Sequence, residues 1–138
     1  MKTIKLVLTM LVLVTTSLVF AGRAYAQDDV LGSIRTALSN GDSRELAQYF
    51  NTSVEVGIDG NKSNYSQTQA EFVLRDFFSK QAPTGLERLH GGSSDQGLTY
   101  EIMKYKYNGG SYRVMVYIKQ FKGVNLIDTI EFTKEWGT

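Results

Sequence analysis

Residues 98–132 read LTYEIMKYKYNGGSYRVMVYIKQFKGVNLIDTIEF, and this run decides the fold. Asn108-Gly109-Gly110 separates two segments rich in Tyr, Val, Ile and Met, the pattern of two strands joined by a tight turn. Lys122-Gly123 divides the second segment from a third. Residues 98–107, 112–121 and 124–132 are therefore expected to form consecutive antiparallel strands. Gly85–Gly91, just after Pro83, adds a fourth strand ahead of them, so the C-terminal half reads as a meander.

Strict alternation along these strands defines two faces. Tyr112, Val114, Val116 and Ile118 line up beside Val124, Leu126, Ile130 and Phe132 on one. Met103, Tyr105, Met115, Tyr117, Phe121 and Ile127 fall on the other, interleaved with Glu101, Arg113, Lys119 and Glu131. A sheet apolar on both faces needs two covers. Helices supply one. A second copy of the chain is expected on the other, so these six residues are assigned to the face of a homodimer.

Upstream, the period changes to that of helices. Val30, Leu31, Ile34, Ala37 and Leu38 form one apolar stripe, with Asp28 and Asp29 at its positive end and Asn40-Gly41 closing it. Asp42 and Glu45 have the spacing of a capping box for a short second helix carrying Leu46, Ala47 and Phe50. Val54, Val56 and Ile58 alternate as a strand ending at Asp59-Gly60, and residues 62–65 read as a short return. Ser66 and Gln69 then cap a third helix through Ala70, Val73, Leu74, Phe77, Phe78 and Gln81, which Pro83 stops. Glu71 and Arg75 make an ordinary surface pair on it. The expected architecture is α+β, in the order α-α-β-β-α-β-β-β-β, with three helices on a curved, mainly antiparallel sheet.

This order of elements, across residues 28–135, resembles the nuclear-transport-factor-2-like cone, also called the cystatin-like fold. Asn40-Gly41-Asp42, Leu46-Ala47-Gln48-Tyr49-Phe50, Leu74-Arg75-Asp76-Phe77-Phe78 and His90-Gly91-Gly92-Ser93-Ser94 are similar to a family of small exported bacterial proteins known only as a domain of unknown function. The resemblance implies the fold and export and supplies no mechanism. Enzymes of the superfamily, such as ketosteroid isomerases, hold an aspartate inside the cone as a base.

Two residues are weak catalytic candidates. His90 ends a strand on the side of Leu86 and Arg88, next to a flexible Gly-Gly-Ser-Ser segment, and is the chain's one histidine. Asp128 interrupts the apolar face of the last strand, where a buried carboxylate is costly unless it is paired or protonated. It lacks any flanking motif that equates it with the superfamily's base. Arg88, His90, Tyr100, Tyr112 and Asp128 are accordingly the expected lining of a pocket for a small apolar or aromatic ligand.

Composition removes other chemistries. With no cysteine, thiol catalysis and thiolate metal sites are excluded; with one histidine a zinc site is not expected, and no phosphate loop or calcium loop is present, so no cofactor and no metal is expected. Lys2 and Lys5 followed by the apolar run 6–20 and Ala24-Tyr25-Ala26 read as a signal peptide over residues 1–26, cut before Gln27. The run is too short for a comfortable bilayer span, so no membrane insertion is expected after its removal. Residues 27–138 would then be a single exported domain in the periplasm or outside the cell. Losing Lys2, Lys5 and Arg23 leaves that domain slightly acidic, which argues against nucleic acid. The leading expectation is a non-enzymatic domain that binds a ligand or protein partner through the cone or the sheet face. The alternatives are a lyase or isomerase using Asp128 or His90, and an inhibitor or assembly factor acting through exposed surface.

Overall fold

Helix α3 (Gln67–Lys80) organises the molecule, and its ends are set by local chemistry. Ser66 Oγ accepts the Gln69 N–H at 3.2 Å while Gln69 Oε1 accepts the Ser66 N–H at 3.1 Å, the reciprocal capping box expected from sequence. Ala70, Leu74, Phe77 and Phe78 form its buried stripe. The computed structural model describes residues 3–4 and 30–137. Apart from residues 3–4, the expected leader, its expected cleavage point and Asp28 and Asp29 lie outside the described residues. The chain divides into two compact units, Met1–Gly32 and Ser33–Thr138, and the second holds the sheet with α2 and α3.

Helix α1, described over residues 30–40, buries Ile34, Ala37 and Leu38. Gly41 ends it at φ +61°, with the Gly41 and Asp42 N–H groups donating to the Leu38 and Ala37 carbonyls. A side chain at Gly41 would also meet the Pro83 ring at 2.9 Å. Asp42 then caps α2 (Ser43–Ala47) by accepting the Glu45 N–H at 2.9 Å. Only half of the expected box forms, because the Asp42 N–H is already given to α1.

Six strands follow: β1 (Phe50–Ile58), β2 (Asn61–Ser66), β3 (Pro83–Ser93), β4 (Thr99–Tyr107), β5 (Gly110–Phe121) and β6 (Val124–Glu135). They make one curved, open sheet in the order β2-β1-β6-β5-β4-β3. All neighbours are antiparallel except β1 and β6, which run parallel. The α+β cone expected from the sequence is the observed fold.

The helices cover the sheet face made by Met103, Tyr105, Tyr112, Val114, Val116, Ile118, Ile127, Ile130 and Phe132, all buried. Phe77 stands at its centre, with ring centroids 4.5 Å from Phe132, 5.1 Å from Tyr112 and 5.9 Å from Tyr105. Each such aromatic contact contributes about 0.5–1.5 kcal/mol beyond area burial. The Tyr105 hydroxyl donates to the Gln81 carbonyl just past the end of α3, fastening the helix to β4.

Met103, Tyr105 and Ile127, assigned from sequence to the dimer face, therefore lie in the core instead. For β4 the reason is that both of its faces carry apolar residues, so alternation alone cannot say which one meets the helices. For β6 it is a bulge: Tyr117 pairs with Thr129 but Ile118 pairs with Ile127, leaving Asp128 unmatched. The extra residue reverses the alternation, turning Ile127 inward and Leu126 outward.

Two core phenols make this packing sensitive to alkali. Burial pushes the Tyr105 hydroxyl well above the ordinary tyrosine range; Tyr112 is raised by burial, the Asp59 carboxylate and its hydrogen bond to Tyr107. A raised folded-state pKa stabilises the fold fully below the unfolded value of about 10 and loses that stabilisation as pH climbs above it. Stability should therefore hold up to about pH 10 and fall above it. In one alkaline titration the last two phenolates should appear together with the loss of circular dichroism; every phenol ionising with the fold intact would contradict the assignment.

Candidate functional site

The sheet face turned away from the helices is built from the alternate residues of β4 and β5. Tyr100 pairs with Tyr117 and Ile102 with Met115 across these strands, and the four side chains form a half-buried apolar patch. The Tyr100 and Tyr117 rings are 6.3 Å apart. Of the residues assigned to a dimer face, Met115 and Tyr117 are in this patch and Phe121 lies exposed at the end of β5.

Most charged residues around the patch are paired across strands, Lys104 beside Ile102 excepted. Lys119 Nζ lies 3.1 Å from Asp128 Oδ2, Lys62 Nζ 3.0 Å from Glu131 Oε2, and Lys106 Nζ 3.7 Å from Glu87 Oε2. Arg113 Nε is 3.8 Å from Glu135 Oε1, too far for a hydrogen bond, so that buried oxygen lacks a donor. The hydrogen bond and charge of Glu131 hold the Lys62 ammonium above its ordinary pKa. Gly57 lies between this last pair in the sheet: a Cβ there would sit 3.2 Å from Lys62 Cγ and 3.3 Å from Glu131 Cγ. A glycine in mid-strand lets the two side chains close over the backbone.

Asp128 is on this outer face, not inside the cone. The β6 bulge turns it out, where it accepts a hydrogen bond from Thr129 Oγ1 at 3.3 Å and pairs with Lys119. A second bulge moves His90. Arg88 pairs with Met103 but His90 pairs with Ile102, leaving Leu89 as the extra residue. His90 is thereby on the face opposite Arg88, contrary to the alternation read from sequence. Its Nε2 lies 2.9 Å from the Tyr100 hydroxyl, and the Tyr100 ring covers Gly92, where a Cβ would stand 3.0 Å from it.

The structure divides the expected pocket lining among three places. His90, Tyr100 and Asp128 are on the outer face, Tyr112 is in the aromatic core and Arg88 is at the helix-side edge of β3. Neither weak catalytic candidate reaches the interior.

One feature escaped the sequence reading. Glu101 is 1 % exposed on the helix side of β4, and its Oε1 receives Arg35 Nη1 of α1 at 2.7 Å and lies 3.5 Å from Arg88 Nε. Gly91 makes room for this arginine, since a Cβ there would be 2.6 Å from Arg88 Nη2. The available signal was phase: Glu101 shares the parity of Met103 and Tyr105, so burying those two buries it as well. A buried carboxylate is tolerated only when paired, and these two half-exposed guanidiniums fix α1 against β3 and β4. Among the described residues, no group of three or more His, Cys, Asp or Glu side chains could hold a metal ion, and no helix is long and apolar enough to cross a membrane.

Known proteins supply a family and a fold. The family described as "Domain of unknown function (DUF4783)" matches residues 31–133. A protein of that family from Bacteroides ovatus is 26% identical, with a TM-score of 0.73 over 76% of this chain and 94% of its own. Another from Bacteroides fragilis is 24% identical, with a TM-score of 0.71 over 75% of this chain and 96% of its own. An NTF2-like protein of unknown function from Shewanella baltica, 9% identical, aligns with a TM-score of 0.63 over 86% of this chain and 98% of its own. No curated protein matches the chain.

The Glu101 cluster makes an asymmetric expectation. Arg35→Met leaves the buried carboxylate with only the longer Arg88 contact and should cost about 2–4 kcal/mol. Glu101→Gln leaves two arginines that can turn to solvent and should cost about 1 kcal/mol. Denaturant unfolding of both variants checks the order; a larger loss from Glu101→Gln would show that the carboxylate is not the group at risk.

Proposed function

Because this chain belongs to the domain-of-unknown-function family DUF4783, we propose that it is an exported binding module that docks a protein partner through its outer sheet face, with a second copy of itself as the resident partner. The observation that carries this reading is the patch of Tyr100, Ile102, Met115 and Tyr117, beside which Lys62, Lys106 and Lys119 are already paired within the chain. Burying such a surface removes apolar area from water while stranding few charges, and the Lys104 stem is long enough to carry its ammonium to the rim. Two identical faces related by a two-fold axis meet this condition automatically. Trp136, 82 % exposed on Lys134 beside this face, adds an amphipathic anchor of the kind found at interfaces.

The helix side supports a binding role rather than a catalytic one. Phe77, Phe78, Tyr105, Tyr112 and Phe132 fill it, and both proton-carrier candidates face the other way. The leader over residues 1–26 takes the domain to the periplasm or the medium, where a cysteine-free core serves equally well.

Native mass spectrometry of the protein purified from its own host tests both parts. A dimer whose subunits begin at Gln27 is the expected result. Met115→Glu and Tyr117→Glu each place a carboxylate at the centre of the interface and should weaken dimerisation by about a hundredfold. Their unfolding midpoints at concentrations where the wild type is also monomeric should hardly move, since both positions are already half exposed. A wild-type monomer at micromolar concentration would overturn the dimer, and a retained leader would overturn export.

A further inference from the structure

On the helix side, away from the paired sheet face, a groove of about 520 Å³ runs between α3 and the β1–β2 turn. That volume is in the range of small-molecule sites. Its floor is apolar, formed by Val73, Phe77 and Ile58 with the Tyr112 ring. Phe72 stands at its lip and is 56 % exposed, with the Arg75 guanidinium 4.8 Å from its ring centroid. An exposed phenylalanine on a capped helix contributes nothing to the core, so the groove is where its apolar surface can be used.

The rim carries charge of one sign in excess. Asp76 and Lys80 neutralise one another at 2.9 Å. Asp59 has no cationic side-chain partner among the described residues. It is held in place nonetheless: it sits at φ +51° in the turn, and its Oδ1 accepts the Lys134 N–H at 2.9 Å. Its carboxylate is near enough to Tyr112 to act on that phenol. A fixed carboxylate, a phenol and an apolar floor thus converge on one cavity of small-ligand size. We propose that this groove binds a small cationic amphiphile, an aromatic or apolar body carrying an ammonium group, with the body on Phe72, Val73 and Phe77 and the ammonium on Asp59.

Tryptamine and indole-3-propionate, which share a body and differ in the sign of the head group, are the probes. Each is titrated into the protein purified from its own host, with binding followed by amide chemical shifts. Tryptamine should saturate at submillimolar concentration with shifts centred on Phe72, Val73 and Asp59, and indole-3-propionate should bind roughly tenfold more weakly or worse. Asp59→Asn, which keeps the acceptor and tolerates the turn, should weaken tryptamine roughly three- to tenfold. Phe72→Ala removes an exposed ring that the fold does not need and should weaken both ligands, so the site remains testable if Asp59→Asn fails to fold. Equal affinity for the two probes, no saturation by about 5 mM, several-fold weaker than the submillimolar binding expected, or shifts centred elsewhere would overturn the site. The oligomeric state plays no part in these readouts, so failure here and failure of the sheet-face dimer are separable.

Discussion

Everything on the helix side depends on where the Phe77 ring sits. It touches Tyr105 on β4, Tyr112 on β5 and Phe132 on β6, and so ties three strands to one helix position. The curvature of the sheet is matched to a single large side chain at its centre, and the Tyr105 bond to the Gln81 carbonyl fixes the adjacent end of the helix. A smaller residue at position 77 would leave a cavity bordered by three strands, a change that typically costs about 3–5 kcal/mol for a buried aromatic. Against a total stability of about 5–15 kcal/mol, that is a large share of what a domain of this size possesses.

The two faces of the sheet then divide the labour. The inner face is specified by size and shape, with Glu101 as its one fully buried charge, matched by arginines from α1 and β3. The outer face is specified largely by pairing: Lys62, Lys106, Arg113 and Lys119 beside the apolar patch each have a carboxylate on a neighbouring strand, and Lys104 has none among the described residues. Such pairs are individually worth little on an exposed surface. Their effect is on what can be covered, because a neutralised surface can be buried while a charged one resists it.

Local signals were legible in the sequence. The Ser66–Gln69 box, the Gly41 terminus and the Asp59-Gly60 turn all rest on contacts within a few residues, and each is where its residues place it. Element order and fold class followed from them. Facing did not, since it depends on counting residues along strands, and one bulged residue reverses every position after it. Leu89 reversed His90, and the bulge at Asp128 reversed Ile127. Both residues that looked most chemical were read onto the wrong side for this reason. Glu101 was missed because a glutamate flanked by tyrosine and isoleucine reads as solvent-facing until the partner helix is known. The parallel pairing of β1 with β6 has no local signature at all.

That parallel pairing governs the order in which the chain can become a protein. Ile58 pairs with Phe132, near the far end of the sequence, and β1 reaches the rest of the sheet only through β6. The meander of β3 to β6 can zip through short turns, but β1 and β2 have no strand of that meander to pair with until the last one exists. Closing the loop between β1 and β6 carries an entropy cost that no local contact offsets. A ribosome making this chain from its N-terminus therefore cannot complete the fold until Glu135 has emerged. Until then the apolar edge of β1, with Val54 and Val56, is left for something other than β6 to hold.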